Sequence, residues 1–467
     1  MTLKRLRSGA SLFRQALVGS STINYTEGSI ARATFLLAIP MILEMAMESV
    51  FALVDIFFVA GLGTEAVATV GLTEAVITLL YAVAIGLSMG TTALVARRIG
   101  ERNPEGAAVA AGQAMWIGII VSVLVGIVGF FYAGKILMLM GADSGVIESG
   151  ENYTRIMFSG SFTIVFLFLN NAVFRGAGDA SIAMRSLILA NGINIVLDPC
   201  LIYGWGPFPE MGVSGAAVAT NIGRGVGILY QLYYLCAADR RIRLRLHHMV
   251  LRLKVALTLC RISAGGIAQF LIATASWVFL MRLVSSFGSD TVAGYTIALR
   301  VILFAILPAW GLSNAVATLV GQNLGAAKPR RAEQTVWHIA RYNLAYMTGV
   351  ALLLVAFPVW IMSFFTTEPD VISNGVQTLR ILGYGFAAMS IGMVTVQAFN
   401  GAGDTMTPTW INGLCYWMVQ IPLAYYLATI AGWGPQGVYW SIFTAETLMS
   451  IVGVAVFMGG RWKYKVV

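Results

Sequence analysis

Three carboxylates stand in one apolar stretch near the start of the chain: Glu44, Glu48 and Asp55. On a helix turning about 100° per residue they share one stripe roughly 40° wide, together with Phe51, and Met41 and Met45 extend that stripe toward one end. A distant stretch sets Asn194 and Asp198 one turn apart, with Asn191 a turn earlier. A carboxylate in a lipid-like interior is costly and is kept for pairing or for function. Two such groups, with amide and hydroxyl oxygens beside them, could hold a proton between them or coordinate Na⁺. The plainer alternative is that Asp55 or Asp198 caps a helix broken beside Pro199, and that Glu44 and Glu48 line a wet vestibule. Glu74, Glu446, Arg224, Arg282 and Arg300 are isolated and carry no assigned role.

The surroundings of these groups are set by composition. Of 467 residues, 58% are apolar and 11% charged. That is too little charge to cover a soluble body of this size, so lipid is the solvent for most of the chain. Apolar stretches long enough to cross about 30 Å of hydrocarbon recur along the whole length. Backbone groups in that layer must pair within their own segment, so the stretches are helices, and no period-two pattern of a barrel appears. The expected spans are 33–60, 66–96, 106–132, 150–174, 180–204, 212–237, 256–287, 291–321, 332–357, 372–400, 406–431 and 436–459. Asp55 and Asp198 then lie at one depth, roughly 9 Å inside the outer ends of their spans, and Thr220 of the sixth span lies at about 12 Å.

Positive charge sorts between the loops. Lys4, Arg5, Arg7 and Arg14 precede the first span, Arg97, Arg98 and Arg102 follow the second, and Arg240, Arg241, Arg243, Arg245, Arg252 and Lys254 follow the sixth. Lys328, Arg330 and Arg331 follow the eighth, and Arg461, Lys463 and Lys465 the twelfth, while the alternate loops carry almost none. Lys and Arg resist translocation, so the expected topology has both termini and the basic loops in the cytoplasm, in the plasma membrane of a bacterium or archaeon. The net charge of +9 reflects this topology and contact with anionic lipid, and no nucleic-acid partner is expected. The first thirty residues lack a long apolar core and a cleavage site, so no secretory signal is read there. Cys200, Cys236, Cys260 and Cys415 are scattered without metal or disulfide spacing.

The chain repeats itself. FRGAGD at 174–179 returns as FNGAGD at 399–404, a shift of 225 positions. The same shift places Gly86-Leu87-Ser88 on Gly311-Leu312-Ser313, Gly100 on Gly325 and Pro104 on Pro329 without a gap. Six spans per copy leave both copies the same way up, related by an axis along the membrane normal. The fold class expected is thus all-α and integral to the membrane, with twelve helices in two six-helix lobes. The divisions are a cytoplasmic segment at 1–32, an N-lobe at 33–237, a basic linker at 238–255, a C-lobe at 256–459 and a tail at 460–467. The second half is asymmetric in charge, because Leu280 stands where the shift places the counterpart of Asp55.

Several chemistries have no support. No G-x-x-x-x-G-K-[ST] loop occurs, and neither H-E-x-x-H nor G-x-S-x-G is present. His247, His248 and His338 all lie in or near basic loops, so they cannot form a proton relay within the membrane. An enzyme is not expected, and no cofactor beyond a coupling ion.

The paired AGD motifs, VDIFFVAGLG at 54–63, ARRIGERN at 96–103 and NIVLDP at 194–199 resemble the multidrug and toxic compound extrusion (MATE) family, over nearly all of the chain from about residue 30. The resemblance implies two lobes and cation-driven efflux of organic compounds. Carried over position by position, it puts the family's N-lobe cation site on Asp55, Asn194, Asp198 and Thr220, with H⁺ favoured over Na⁺. Asn171 matches a polar position of the N-lobe cavity and is assigned to substrate with Met41, Met45, Glu48 and Phe51. Phe51 departs from the family, where a tyrosine often stands. The expected function is a monomeric antiporter exporting cationic or amphipathic organic compounds in exchange for H⁺ or Na⁺ by alternating access, in contact with membrane lipid. The alternative is a flippase for lipid-linked saccharides, which should instead show a cationic cavity for phosphates.

Overall fold

The computed structural model describes residues 11–19, 23–237 and 241–467. The basic residues Lys4, Arg5, Arg7 and Arg240, part of the N-terminal segment and part of the linker lie outside them. The helices of the first half are α1 (Ile30–Ala60), α2 (Thr64–Gly100), α3 (Pro104–Leu139), α4 (Ser144–Ala177), α5 (Ala180–Ile202) and α6 (Val213–Cys236), all but α6 long and apolar enough by composition to cross a membrane. The second half holds α7 (Leu253–Ser285), α8 (Ser289–Gly325), α9 (Pro329–Ala356), α10 (Pro369–Gly401), α11 (Met406–Ile430) and α12 (Pro435–Met458). Among the described residues the fold is all-helical, with twelve spans in two lobes, as the apolar spacing predicts.

Helices begin a few residues before the apolar stretches because their first turns are capped by polar side chains. Asn103 accepts from Gly106 N–H at 2.7 Å with Pro104 opening α3, and Asp143 accepts from Val146 N–H at 2.9 Å at the start of α4. Three helices differ from a plain reading, the first being α3, which is kinked at Tyr132. The α4 span is broken at Gly160, and α11 carries wide π-type turns at Gly413–Gln420 and Tyr426–Ile430. The α6 span has the polar residues Thr220, Asn221, Arg224 and Gln231, and all four make hydrogen bonds inside the N-lobe, although Arg224 Nη1 and Gln231 Oε1 stay buried without a partner. Large apolar side chains such as Leu124, Phe131, Leu139, Leu229 and Trp360 face outward.

The lobes meet through contacts that exchange under the 225-residue shift. A methyl at Gly100 would lie 2.1 Å from the Gln322 carbonyl oxygen, and one at Gly325 would lie 2.1 Å from that of Arg97. Gln322 is the shifted counterpart of Arg97, so this is one contact made twice, as a twofold axis requires. Gly86 against Ile267 and Gly311 against Ile42 form a second such pair. Glycine at these positions lets the backbones of α2 and α8, and of α1 and α8, touch.

The described segment before α1 and the C-terminal tail lie on the face where α2 and α8 end. The segment around Tyr25 is strapped across it: Tyr25 Oη donates to Gly178 O at 3.0 Å, Arg331 donates to Gly28 O at 3.0 Å and Lys328 to Thr26 O at 3.1 Å. Gly178 belongs to the first lobe and Arg331 to the second, so the strap joins the two lobes. Burial pushes the Tyr25 phenol up to about 12. At the other end of the chain, Arg97 donates to Lys465 O at 2.8 Å.

Candidate functional site

Helices α1 and α5 run in the same direction and are tied at two levels. Asn191 donates to Met47 O at 2.9 Å, and Tyr203 Oη donates to Phe58 O at 2.6 Å. Asp55 and Asp198 lie between these ties, both buried. On the other side of α5, Gly223 and Gly227 of α6 form a small-residue seam. A methyl at Gly223 would come 2.6 Å from Ala190 O. This close approach brings Asn194 to both neighbours: its amide donates to Asp198 Oδ1 at 3.0 Å and to Thr220 Oγ1 at 3.3 Å. Asp55 Oδ1, Asp198 Oδ2 and Asn194 Oδ1 remain buried without a hydrogen-bond partner. Unpaired acceptors in a dry interior are costly, and a proton or a hard cation is what such oxygens take up.

One turn further along the same face of α6 stands Arg224, which the sequence reading left without a role. It is buried, donates to Tyr81 Oη at 2.9 Å and lies 5.3 Å from the centre of the Phe51 ring. Its charge acts on Asp55, Glu48 and Glu74. The departure at Phe51 therefore has a physical counterpart: the ring offers its face to a cation, and Tyr81 supplies the hydroxyl. The signal was present in the sequence, since Arg224 follows Thr220 by four residues, but only packing shows that the acids surround it.

Glu44 belongs to a separate buried network. Its Oε1 accepts from Arg175 Nη1 and from Asn171 Nδ2, both at 3.0 Å, while Oε2 has no partner. Asn171 Oδ1 in turn accepts from Gln231, which also donates to Ser186 Oγ at 2.8 Å. Asn171 is thus engaged by Glu44 and Gln231.

Between the lobes lies a cavity of about 190 Å³. Its walls include Met45, Met89, Phe168, Phe270 and Trp310, with the polar groups of Ser88, Thr92, Arg175, Asn314, Gln397 and Asn400. Of the residues assigned to substrate, Met45 lines this space. Met41 packs in an apolar cluster with residues of α8 and α10, Phe51 faces Arg224, and Glu48 and Asn171 do not line the cavity. The C-lobe wall is a chain of amides: Gln397 donates to Asn314 at 2.9 Å, Asn400 to Gln397 at 3.3 Å and Gln269 to Asn400 at 3.1 Å.

Two further groups of titratable residues stand apart. In the C-lobe, buried Glu446 accepts from Tyr416 Oη at 3.0 Å. At the linker, Glu105, His247 and His248 converge with metal-ligand spacing. His248 Nδ1 accepts the Arg245 backbone N–H at 3.0 Å, which leaves Nε2 to carry its hydrogen toward Glu105. A metal-bound imidazole needs the reverse arrangement, so this is a clasp holding the linker to α3.

A two-lobed membrane fold with a central cavity and buried, unpartnered carboxylate oxygens beside it is that of a multi-pass membrane transporter, not an enzyme. The MatE family model matches twice, at residues 40–200 and 266–426, and the chain belongs to that family. It is 26% identical to the probable multidrug resistance protein NorM of Thermotoga maritima, over 92% of this chain and 93% of that one. It is also 26% identical to an FAD transporter of Shewanella oneidensis, over 85% and 87% of the two chains. A solved structure described as the outward-facing conformation of a multidrug resistance MATE transporter superposes with a TM-score of 0.87 at 28% identity, covering 95% of this chain and 97% of that one.

Proposed function

We propose that this protein exports amphipathic organic compounds in exchange for H⁺ or Na⁺, by alternating access, with both termini in the cytoplasm. The observation that carries this reading is the group of unpartnered buried oxygens on Asp55, Asn194 and Asp198, the first of them on α1, the helix that also lines the cavity. Helix α1 holds Asp55 near one end and Met45 of the cavity near its middle. Occupation of the Asp55/Asp198 centre by an ion entering from outside repacks α1 and α5 and changes the cavity that α1 lines. Substrate enters from the cytoplasm or inner leaflet while the centre is empty of its ion and leaves outward when the ion binds. One charge moving inward releases about 2.3 kcal/mol per 100 mV, enough to drive export without chemistry. Names of relatives such as multidrug resistance protein and multidrug export protein support efflux of drug-like compounds.

Aromatic rings, methionines and uncharged amides suit flat, variable ligands, because methionine repacks at low cost. The cavity's Arg175 is neutralised by Glu44, which speaks against a flippase that must hold phosphates on a cationic wall. The experiment is efflux from proteoliposomes under an imposed pH or Na⁺ gradient, with Asp55→Asn and Asp198→Asn. Each variant should lose gradient-driven transport; full coupled efflux by both overturns the site assignment.

A further inference from the structure

A cavity of about 530 Å³ opens on the terminus-bearing face, away from the centres described above. Its walls come from α2, the start of α7, the loop between α10 and α11 and the tail of the chain. Four cations line it, Arg98, Lys254, Arg261 and Lys465, against one acid, Asp404. Arg98 is engaged by Glu101 at 2.7 Å and Lys465 by Asp404 at 3.0 Å. Lys254 and Arg261 have no ion-pair partner among the described residues, and both are exposed.

The surface beside these two cations is apolar. Leu253 and Leu257 of α7 are 65% and 60% exposed, and Met406 and Trp410 at the start of α11 are 50% and 77% exposed. Arg261 lies eight residues into α7, about 12 Å along its axis, where a long side chain reaches back to the interface with its stem in hydrocarbon. Cations above an outward apolar strip fit one ligand class, a headgroup carrying negative charge on acyl chains. Basic pockets between helix ends on the cytoplasmic side are suited to such headgroups.

We infer that this cavity is a binding site for an anionic phospholipid, with the phosphate between Lys254 and Arg261 and the acyl chains against Leu257 and Trp410. Bound there, the headgroup bridges α2 of one lobe to α7 and the α10–α11 loop of the other. Free phosphate shares the headgroup chemistry but makes no use of the apolar strip.

The test uses the full chain in neutral detergent, with phosphatidylglycerol, phosphatidylcholine or inorganic phosphate added at matched concentrations. Bound lipid is counted by native mass spectrometry and the thermal unfolding midpoint is followed. Phosphatidylglycerol should bind and raise the midpoint, and the other two should not. At about 1 kcal/mol per basic residue, Lys254→Gln with Arg261→Gln weakens phosphatidylglycerol binding on the order of 30-fold, and each single change roughly 5-fold. Arg330→Gln with Arg461→Gln, which removes the same charge elsewhere on this face, leaves binding unchanged. Binding within threefold of the parent in the first pair, equal loss in the second pair, or equal stabilisation by inorganic phosphate overturns the lipid site. None of these readouts depends on transport.

Discussion

Arg175 and Asn400 stand at the same position of the two halves, 225 residues apart, and face the same central cavity from opposite lobes. Each pairs with a residue of the first helix of its own lobe: Arg175 with Glu44 at 3.0 Å, Asn400 with Gln269 at 3.1 Å. Gln269 is itself the shifted counterpart of Glu44. The molecule therefore makes one interhelical bond twice, as an ion pair in the N-lobe and as an amide pair in the C-lobe.

This symmetry supplies its own control. Glu44→Gln or Arg175→Asn alone leaves one buried charge unpaired, which costs about 3–5 kcal/mol. The double change copies the pair the C-lobe already carries and should recover most of the lost stability. Thermal unfolding of the two single variants and the double variant in detergent measures this; a double variant no more stable than the worse single would show that the pairs are not interchangeable.

Arg224→Gln removes the positive charge that faces Asp55 and Glu48 on α1, Glu74 and Tyr81 on α2, and the Phe51 ring. Tyr81 Oη and the Phe51 ring then lose the cation they hold, a charged hydrogen bond being worth about 1.5–3 kcal/mol. Coupled efflux should fall at least about tenfold, and Arg224→Lys, which keeps the charge, should lose less. Gradient-driven efflux from proteoliposomes checks this, and full coupled efflux by the glutamine variant removes Arg224 from the ion centre.

The seam at Gly223 should resist enlargement. Its missing side chain faces Ala190 O at 2.6 Å, so Gly223→Val pushes α6 away from α5 and takes Thr220 from Asn194. Overpacking of this kind costs typically about 1–3 kcal/mol. Coupled efflux should fall at least tenfold, whereas Gly225→Val, where nothing lies within 4 Å, should retain it.

Tyr25 gives a stability change at high pH. Its phenol ionises near 10 in an unfolded chain and is pushed up to about 12 by burial, so the unfolded form loses its proton first. The strap is fully stabilised below pH 10 and weakens as pH rises toward 12. Tyr25→Phe loses the bond to Gly178 O, about 1 kcal/mol, and should abolish that high-pH dependence. Protease accessibility of the strap as a function of pH reads both effects.

The sequence by itself determined the helices, their number and the twofold relation between halves. Each follows from local rules: apolar length against the hydrocarbon thickness, basic loops, and a 225-residue register that Gly86, Gly100 and their counterparts keep. The stripe of Asp55 and the turn joining Asn194 to Asp198 were legible for the same reason, since residues three or four apart share a helix face. The register between helices was decided only by tertiary structure. The Gly223–Gly227 seam sets Thr220 beside Asn194, Arg224 collects acids from two other helices, and Asn171 turns to Glu44 instead of the cavity. Met41 and Met45 lie on one stripe, yet one packs in an apolar cluster and the other lines the cavity, because where a face meets its neighbour depends on helices far away in the chain.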